Sequence, residues 1–232
     1  MKPTLVLLPG LLCDRALWQH QIKALEGDIN VIVADLTGHE TIPDLAKAVL
    51  SMAPERFSLA GLSMGGYVAM EIMRQEPARI SHLALVDTTA RPETENGRRK
   101  RRGLIQLANI GDFKGVTPRL LPTLISPMRL NDDEITKTIM DMSARVGKEA
   151  FIKQQKAILD RIDSRPHLSL IQVPTVVICG IEDARTPPEH AHEMASHIKN
   201  SELHIIADAG HLAPLEQPAA VNRIFKKWLG LT

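Results

Sequence analysis

The stretch Phe57-Ser58-Leu59-Ala60-Gly61-Leu62-Ser63-Met64-Gly65-Gly66-Tyr67 decides the fold of this chain. It begins as a short apolar strand, passes through G-x-S-x-G and continues into a helical pattern, which is the order of a nucleophile elbow. The turn is tight enough to strain Ser63, and a side chain at Gly61 or Gly65 would collide with neighbouring backbone. The pattern predicts that the Ser63 hydroxyl stands at the strand's carboxyl end, beside the N–H of Met64 at the helix N-terminus. Since the five-residue pattern is common, a glycine-rich turn with a chance serine stays open until partners for Ser63 are found.

Composition limits the classes of function. The chain has 232 residues, is 44% hydrophobic and carries a net charge of +1, which favours one sizeable core and no nucleic-acid partner. Its two cysteines are too few for a disulfide framework and predict reduced thiols in a cytoplasmic protein. No run approaches the ~18 apolar residues of a membrane span. We therefore expect neither a membrane nor a nucleic acid as partner.

Apolar runs alternate with helical patterns on both sides of the elbow, which is typical of a parallel sheet covered on both faces. Besides the elbow strand, five runs predict buried strands, at residues 4–8, 29–34, 82–86, 175–179 and 203–206. Residues 88–167 show no strand signal, and helices are predicted there over 93–108, 115–124, 132–146 and 148–162. The sequence thus predicts an α/β core (1–87 and 168–232) with an inserted all-helical cap (88–167).

The loops after the last two strands contain the partners that Ser63 needs. In an open α/β sheet ligands bind beyond the carboxyl ends of the strands, where Asp183 and His211 are predicted. His211 is expected to take the serine proton, and Asp183 to hold the productive tautomer of the imidazole. Glu182 and Asp208 are the alternative acids. We prefer Asp183 because the loop needs a residue or two to turn back, and Asp208 lies in the histidine's own loop.

The loop after the first strand, Pro9-Gly10-Leu11-Leu12, is the natural source of a second oxyanion donor. The Leu11 N–H is the candidate, to be paired with the Met64 N–H. Cys13 follows in the same loop and is expected to line or abut the pocket without acting as nucleophile. His190 and His192 lie two residues apart, on different helix faces, and make poor joint metal ligands. Neither a metal nor a cofactor is predicted.

Five motifs carry a resemblance to a known family: Leu7-Leu8-Pro9-Gly10, Asp35-Leu36-Thr37-Gly38-His39, Gly61-Leu62-Ser63-Met64-Gly65-Gly66, Gly180-Ile181-Glu182-Asp183 and Gly210-His211-Leu212-Ala213-Pro214-Leu215-Glu216-Gln217-Pro218. Over essentially its whole length the chain resembles the α/β-hydrolase superfamily. Within it, the chain is most similar to small capped esterases and lactonases, of the pimeloyl-carrier-protein methyl esterase and 3-oxoadipate enol-lactonase type. The resemblance implies that Ser63, Asp183 and His211 form the triad, and that Leu11 and Met64 are the oxyanion donors.

Two features depart from that family's pattern. Many relatives carry His-Gly where this chain has Pro9-Gly10, which alters the hydrogen bonding available to the oxyanion loop. The family core also usually begins with two further strands, and this chain starts at the third. We therefore expect six parallel strands without the usual antiparallel one.

The resulting functional prediction is a serine hydrolase that cleaves carboxylic esters of small or medium apolar acyl groups through an acyl-enzyme. An enol-lactone hydrolase with the same triad and a hydrolase-fold ligand sensor without turnover are the alternatives. Haloalkane dehalogenase and epoxide hydrolase are disfavoured because both need an aspartate at position 63. The expected partner is a small-molecule ester.

The cap carries one charge run, Arg98-Arg99-Lys100-Arg101-Arg102. A solvated helix face is the favoured interpretation, and an anionic carrier or an acidic substrate tail is the alternative. Among the cap's large apolar residues are the following, most of which are expected to pack within the cap or against the core: Leu104, Ile105, Leu107, Ile110, Leu120, Leu121, Leu124, Ile125, Met128, Ile139, Met140 and Met142.

Overall fold

A single parallel sheet forms the centre of the molecule. The computed structural model describes residues 2–231. The strands are β1 (Thr4–Leu8), β2 (Asn30–Val33), β3 (Phe57–Leu62), β4 (Ile80–Val86), β5 (Thr175–Gly180) and β6 (Ser201–Ile206). They lie in the order β2-β1-β3-β4-β5-β6, and all five pairings are parallel. The predicted six-stranded parallel sheet is confirmed, and every strand ends at the same edge.

Helices cover both faces of the sheet. They are α1 (Gln19–Leu25), α2 (Ile42–Met52), α3 (Met64–Gln75), α4 (Glu95–Ile110), α5 (Asp133–Leu159), α6 (Pro188–His197), α7 (Ala213–Glu216) and α8 (Pro218–Trp228). Helices α2, α3 and α6 pack on one face, and α1 and α8 on the other. Because successive side chains of a strand alternate, Val6 and Leu8 contact the first layer, and Leu5 and Leu7 the second. This two-sided burial explains why the interior strands β1, β3 and β5 are largely apolar.

The segment between β4 and β5 contains the inserted cap. In the described part of this segment the α-helices are α4 and α5. The helix predicted over 115–124 is present only as a shorter 3-10 helix at Pro118–Thr123. Pro118 and Pro122 lack the N–H groups that an α-helix needs. The two helices predicted on either side of Gly147 are both present. They meet at a kink at this glycine, whose φ of 78° is not helical, and both are included in the label α5. The proposed domain boundaries remain a prediction.

The cap's apolar residues divide between the core and the solvent. Ile125, Ile139 and Met142 are buried and, with Leu121, join the core layer that contains α1 and α8. Five others are exposed: Leu104, Leu107, Ile110, Leu120 and Met128. Helix α4 lies at the surface and buries only Ala108. Its apolar residues Leu104, Leu107 and Ile110, which follow one another at intervals of three, are exposed to solvent. None of the helices in the described part of the chain is long and apolar enough to cross a bilayer.

Candidate active site

The elbow holds Ser63 in a strained conformation between β3 and α3. Its φ is 53° and its ψ is −112°, which a non-glycine residue rarely adopts. A Cβ on Gly61 would collide with the carbonyl of Gly65, and one on Gly65 with that of Leu8, so both positions require glycine. The conformation is held from outside the turn, because Thr88 Oγ1 donates to the Ser63 carbonyl oxygen at 2.8 Å.

The structure brings the three predicted residues Ser63, Asp183 and His211 together. Nε2 of His211 lies 2.9 Å from Ser63 Oγ, and Nδ1 lies 2.8 Å from Asp183 Oδ2. The histidine is 5% exposed and the aspartate 2%, so water has little access to either. The imidazole therefore bridges an alcohol and a carboxylate, the arrangement that allows proton transfer from a serine.

Asp183 accepts four hydrogen bonds, two at each carboxylate oxygen. Oδ1 accepts from the backbone N–H of Arg185 at 2.8 Å and of Thr186 at 3.0 Å. Oδ2 accepts from Thr186 Oγ1 at 2.7 Å, besides facing the His211 ring. Burial alone raises the pKa of Asp183, but the His211 charge and the hydrogen bonds from His211 and Thr186 outweigh it and lower that pKa. Asp183 is therefore ionised at neutral pH.

The alternative acids are not in the cluster. Glu182 and Asp208 are both exposed, and Asp208 has a positive φ of 53° in the loop that leads to His211. Only Asp183 faces the ring, because its loop turns back after β5 through the hydrogen bond from the Asp183 N–H to the Gly180 carbonyl.

A buried glutamate clamps the loop that carries His211. Glu216 accepts from the N–H of Gly210 and of Leu212, which flank His211, and from the N–H of Ser126 in the cap at 2.7 Å. Burial raises the pKa of Glu216, against the effect of these hydrogen bonds. The sequence contains Glu216 within a quoted motif, but nothing in the pattern indicated which N–H groups it binds.

Asp87 is a second buried carboxylate that the sequence did not single out. It follows β4 with φ 42° and accepts from the N–H of Gly180 at 2.8 Å and of Ala213 at 3.0 Å. Burial and the nearby Asp183 charge raise the pKa of Asp87. It thus ties the loop of the acid to the loop of the histidine. Its position directly after a strand was the only available signal.

Asp87, Asp183 and the buried Cys179 have potential metal-ligand atoms within 4.8 Å of one another. Their chemistry favours a structural role, because both carboxylates are already engaged by donors of the chain. Burial, and after it the charge of Asp87, raises the pKa of the Cys179 thiol, which disfavours the thiolate that a metal binds. Cys179 instead donates to the carbonyls of Gly180 and Thr186.

The loop Pro9–Cys13 passes directly beside the elbow. A Cβ on Gly10 would lie 3.0 Å from the Leu62 side chain and 3.4 Å from that of Ser63. Cys13 N–H closes a turn onto the Gly10 carbonyl at 3.1 Å, and Leu12 has a positive φ of 59°. Among residues 2–231, no turn or cap hydrogen bond uses the N–H of Leu11 or of Met64. These two groups are the predicted oxyanion donors.

Cys13 is not placed as a nucleophile. Its thiol donates to the Leu11 carbonyl, and burial, together with the charge of Asp14, raises its pKa to about 12. At neutral pH it is a thiol, and the His211 ring faces Ser63. Its predicted position against the pocket remains untested.

The basic run on α4 is not a uniform solvated face. Arg98 pairs with Glu95 and Asp160, and Arg101 pairs with Glu93 and donates to Gln155. The other three cations are exposed: Arg99, Lys100 and Arg102.

Comparison with known proteins bears on the family and the fold. A family model described as "Alpha/beta hydrolase family" matches residues 5–224. A thermophilic esterase from Thermogutta terrifontis, solved with malate bound, superposes with a TM-score of 0.91 at 31% identity over 99% of this chain and 90% of that one. The 3-oxoadipate enol-lactonase 1 of Acinetobacter baylyi is 27% identical over 96% of this chain and 87% of its own length. The pimeloyl-[acyl-carrier protein] methyl ester esterase of Nitrosomonas europaea is 24% identical over 93% and 91%. The resemblance and the fold class drawn from the sequence are confirmed.

Proposed function

Because this chain belongs to the alpha/beta hydrolase family, we propose that it is a serine hydrolase that cleaves carboxylic esters. Small or medium apolar acyl esters are the proposed substrates. The observation that carries the proposal is the His211 ring, within hydrogen-bond distance of both Ser63 Oγ and Asp183 Oδ2. The 31% identity to an esterase supports the choice of an ester.

Acylation follows from the three contacts. Ser63 Oγ attacks the ester carbonyl carbon while His211 Nε2 removes its proton. Asp183 holds the Nδ1–H and stabilises the imidazolium that forms. Nε2 then gives the proton to the leaving alkoxide, the C–O bond breaks and the alcohol departs. Ser63 is left as an acyl ester.

Deacylation repeats these steps with water. Nε2 takes a proton from a water molecule, whose oxygen attacks the acyl carbon, and returns the proton to Ser63 Oγ as the carboxylic acid leaves. In both steps negative charge develops on the carbonyl oxygen. The N–H groups of Leu11 and Met64 are proposed to bind that oxygen, and one such donor is worth about 2.7–4 kcal/mol. Met64 lies at the N-terminus of α3, whose dipole favours an anion.

An enol-lactone hydrolase is the second candidate, favoured by the A. baylyi enol-lactonase that this chain matches over nearly its whole length. The chemistry at Ser63 is the same. The difference is that ring opening leaves the enolate in the same molecule as the acyl group, so no alcohol departs, and deacylation releases a single keto acid. Comparing kcat/KM for a five-membered lactone and for an open-chain ester of equal carbon number separates the two candidates.

The proposal is tested by hydrolysis of p-nitrophenyl acetate and butyrate. Ser63→Ala is expected to abolish turnover and also labelling by a fluorophosphonate. Ser58→Ala is the matched control, since Ser58 lies at the other end of β3 and bonds to Ser81. It should keep full activity. Stabilisation by a ligand without turnover would instead indicate a sensor. Hydrolysis that survives in Ser63→Ala would refute the proposal.

A further inference from the structure

One buried side chain of the cap reaches the loop Pro9–Cys13. Gln154, on α5, is 1% exposed. Its Oε1 accepts from the Leu12 N–H at 3.0 Å, and its Nε2 donates to the Leu36 carbonyl at 3.2 Å. Leu12 follows β1 and Leu36 follows β2, at the same edge of the sheet. A single amide of the cap therefore joins two core loops that are adjacent at the site.

The Leu12 hydrogen bond acts on a strained part of the loop. Leu12 has a φ of 59°, which costs a non-glycine residue free energy and persists only when the surroundings enforce it. Pro9 contributes neither an N–H nor a polar side chain to the loop. Within the loop itself, the turn bond from Cys13 N–H to the Gly10 carbonyl is the backbone restraint.

These two restraints together aim the Leu11 N–H. The Gly10 carbonyl and the Leu11 N–H belong to one rigid peptide plane, so engaging that carbonyl points the N–H in the opposite direction. The Leu11 carbonyl and the Leu12 N–H belong to the next plane, and Gln154 holds that plane. With both planes held, the Leu11 N–H has a single direction. Without Gln154, the hydrogen bond from the Cys13 thiol to the Leu11 carbonyl is the remaining hydrogen bond on the second plane. A thiol is a weak donor, so the plane can then rotate toward an unstrained conformation.

Packing supports the same contact. Leu12, Ala108 and the α5 residue Phe151 form a small apolar cluster, against which Leu11 also packs. Phe151 and Gln154 lie three residues apart, on one face of α5. This face covers the loop and keeps water from competing for the Leu12 N–H.

We propose that Gln154 is a positioning residue for the oxyanion loop and acts through Leu12 on the Leu11 N–H. This inference rests on the function proposed above. It predicts that a cap residue affects the rate of catalysis although it hydrogen-bonds to Leu12 and Leu36 and to neither Ser63 nor His211. It predicts a loss in kcat, because a misdirected donor weakens transition-state binding more than substrate binding.

The test is Gln154→Leu, which removes both hydrogen bonds with little change in volume. We expect kcat for p-nitrophenyl butyrate to fall about tenfold to a hundredfold, since misplacing a catalytic group by about 1 Å costs up to this much. KM is expected to change little. Gln155→Leu is the matched control, because Gln155 is equally buried on the same helix but bonds to Arg101 within the cap. It should lower the melting temperature and leave kcat within about twofold, as its partner is not in the loop.

Amide exchange measured by NMR provides a readout that does not depend on turnover. The Leu12 amide is expected to be protected in the wild type and in Gln155→Leu, and to exchange faster in Gln154→Leu. Equal kcat values for the two variants would overturn the inference, as would an unchanged Leu12 exchange rate. If the wild type hydrolyses no ester, the proposed function fails and the catalytic role of Gln154 fails with it, whatever the exchange shows. If Gln154→Leu does not fold, Gln154→Met takes its place with the same expected results, since its unbranched side chain has the same length and lacks both the acceptor for Leu12 and the donor to Leu36.

Discussion

Replacing Asp183 by asparagine perturbs the site at a single atom. The change converts one carboxylate oxygen into an NH2 group and leaves the shape of the side chain intact. The four groups around Asp183 are all donors: two backbone N–H groups at Oδ1, and Thr186 Oγ1 and the His211 ring at Oδ2. The single oxygen of an asparagine can accept hydrogen bonds from only one of these two pairs of donors.

The backbone decides which side keeps the oxygen. If the NH2 faced the N–H groups of Arg185 and Thr186, two buried donors would lose their acceptor, at about 1–3 kcal/mol each. On the other side Thr186 can rotate its hydroxyl, and His211 can present an unprotonated Nδ1. The NH2 therefore faces His211 and stabilises the tautomer with its proton on Nε2. In that tautomer the imidazole has no lone pair for the Ser63 proton.

The expected loss is about 10⁴-fold in kcat, as for the same substitution in a serine protease triad. At 1.36 kcal/mol per factor of ten, this corresponds to about 5.4 kcal/mol of transition-state stabilisation. Fluorophosphonate labelling of Ser63 should slow in parallel, because it needs the same proton transfer. The melting temperature should fall only modestly. The two backbone hydrogen bonds to Oδ1 are kept, and a hydrogen bond from the NH2 group to His211 Nδ1 replaces the one that His211 donated.

The measurement is kcat/KM for p-nitrophenyl butyrate, with Glu182→Gln and Asp208→Asn as controls that probe the alternative acids. Both are exposed and should remain within about threefold of the wild type, as surface changes away from the site usually have small effects. The reasoning is wrong if Asp183→Asn retains a tenth of the activity or more. It is equally wrong if either control loses as much as Asp183→Asn.

Two further predictions concern the cap. Glu93, which is 10% exposed at its side chain, accepts from Arg101 and Arg161. Burial raises its pKa, but these two arginines outweigh burial and hold that pKa below its ordinary value of 4.5. A lowered pKa stabilises the fold above pH 4.5, and the contribution is lost as pH falls through the folded value. Glu93→Gln should therefore lower the free energy of unfolding by about 2 kcal/mol at pH 7, a value between those of exposed and of fully buried ion pairs. At pH 4 the loss should be clearly smaller. Equal losses in urea titrations at the two pH values would contradict this. Replacing the three exposed cations of the basic run by serine, with Arg98 and Arg101 left intact, should raise KM several-fold at low salt for an ester on an anionic carrier protein and not for p-nitrophenyl butyrate. Equal effects on the two substrates would remove the carrier hypothesis.

Much of the fold was predictable because local signals agree with the global arrangement. A strand buried on both faces is largely apolar, and the interior strands β1, β3 and β5 show this pattern. The edge strands β2 and β6 are only partly buried, and the β6 sequence includes Glu202 and His204. The glycines of the elbow are required by contacts within that turn and with the adjacent strand β1. Since parallel strands share one carboxyl edge, the chain order of Ser63, Asp183 and His211 was enough to predict that they meet.

Sequence periodicity was a poor guide in two parts of the cap. Residues 115–124 have helix-forming leucines, but the prolines at 118 and 122 remove donors and leave a 3-10 helix. On α4, the apolar residues from Leu104 onward suggested packing, and several of them face solvent because no element covers that side of the helix.

The sequence alone therefore determined the sheet, the elbow and which residues are proposed to carry out the chemistry. Only the tertiary structure decided how these residues are held. Asp87, Gln154 and Glu216 each hydrogen-bond backbone groups roughly 90 to 140 positions away. The physical reason is that periodicity reports which face of a strand or helix is buried, whereas a buried carboxylate or amide selects its partner by distance and direction. Those are set only when the whole chain has packed.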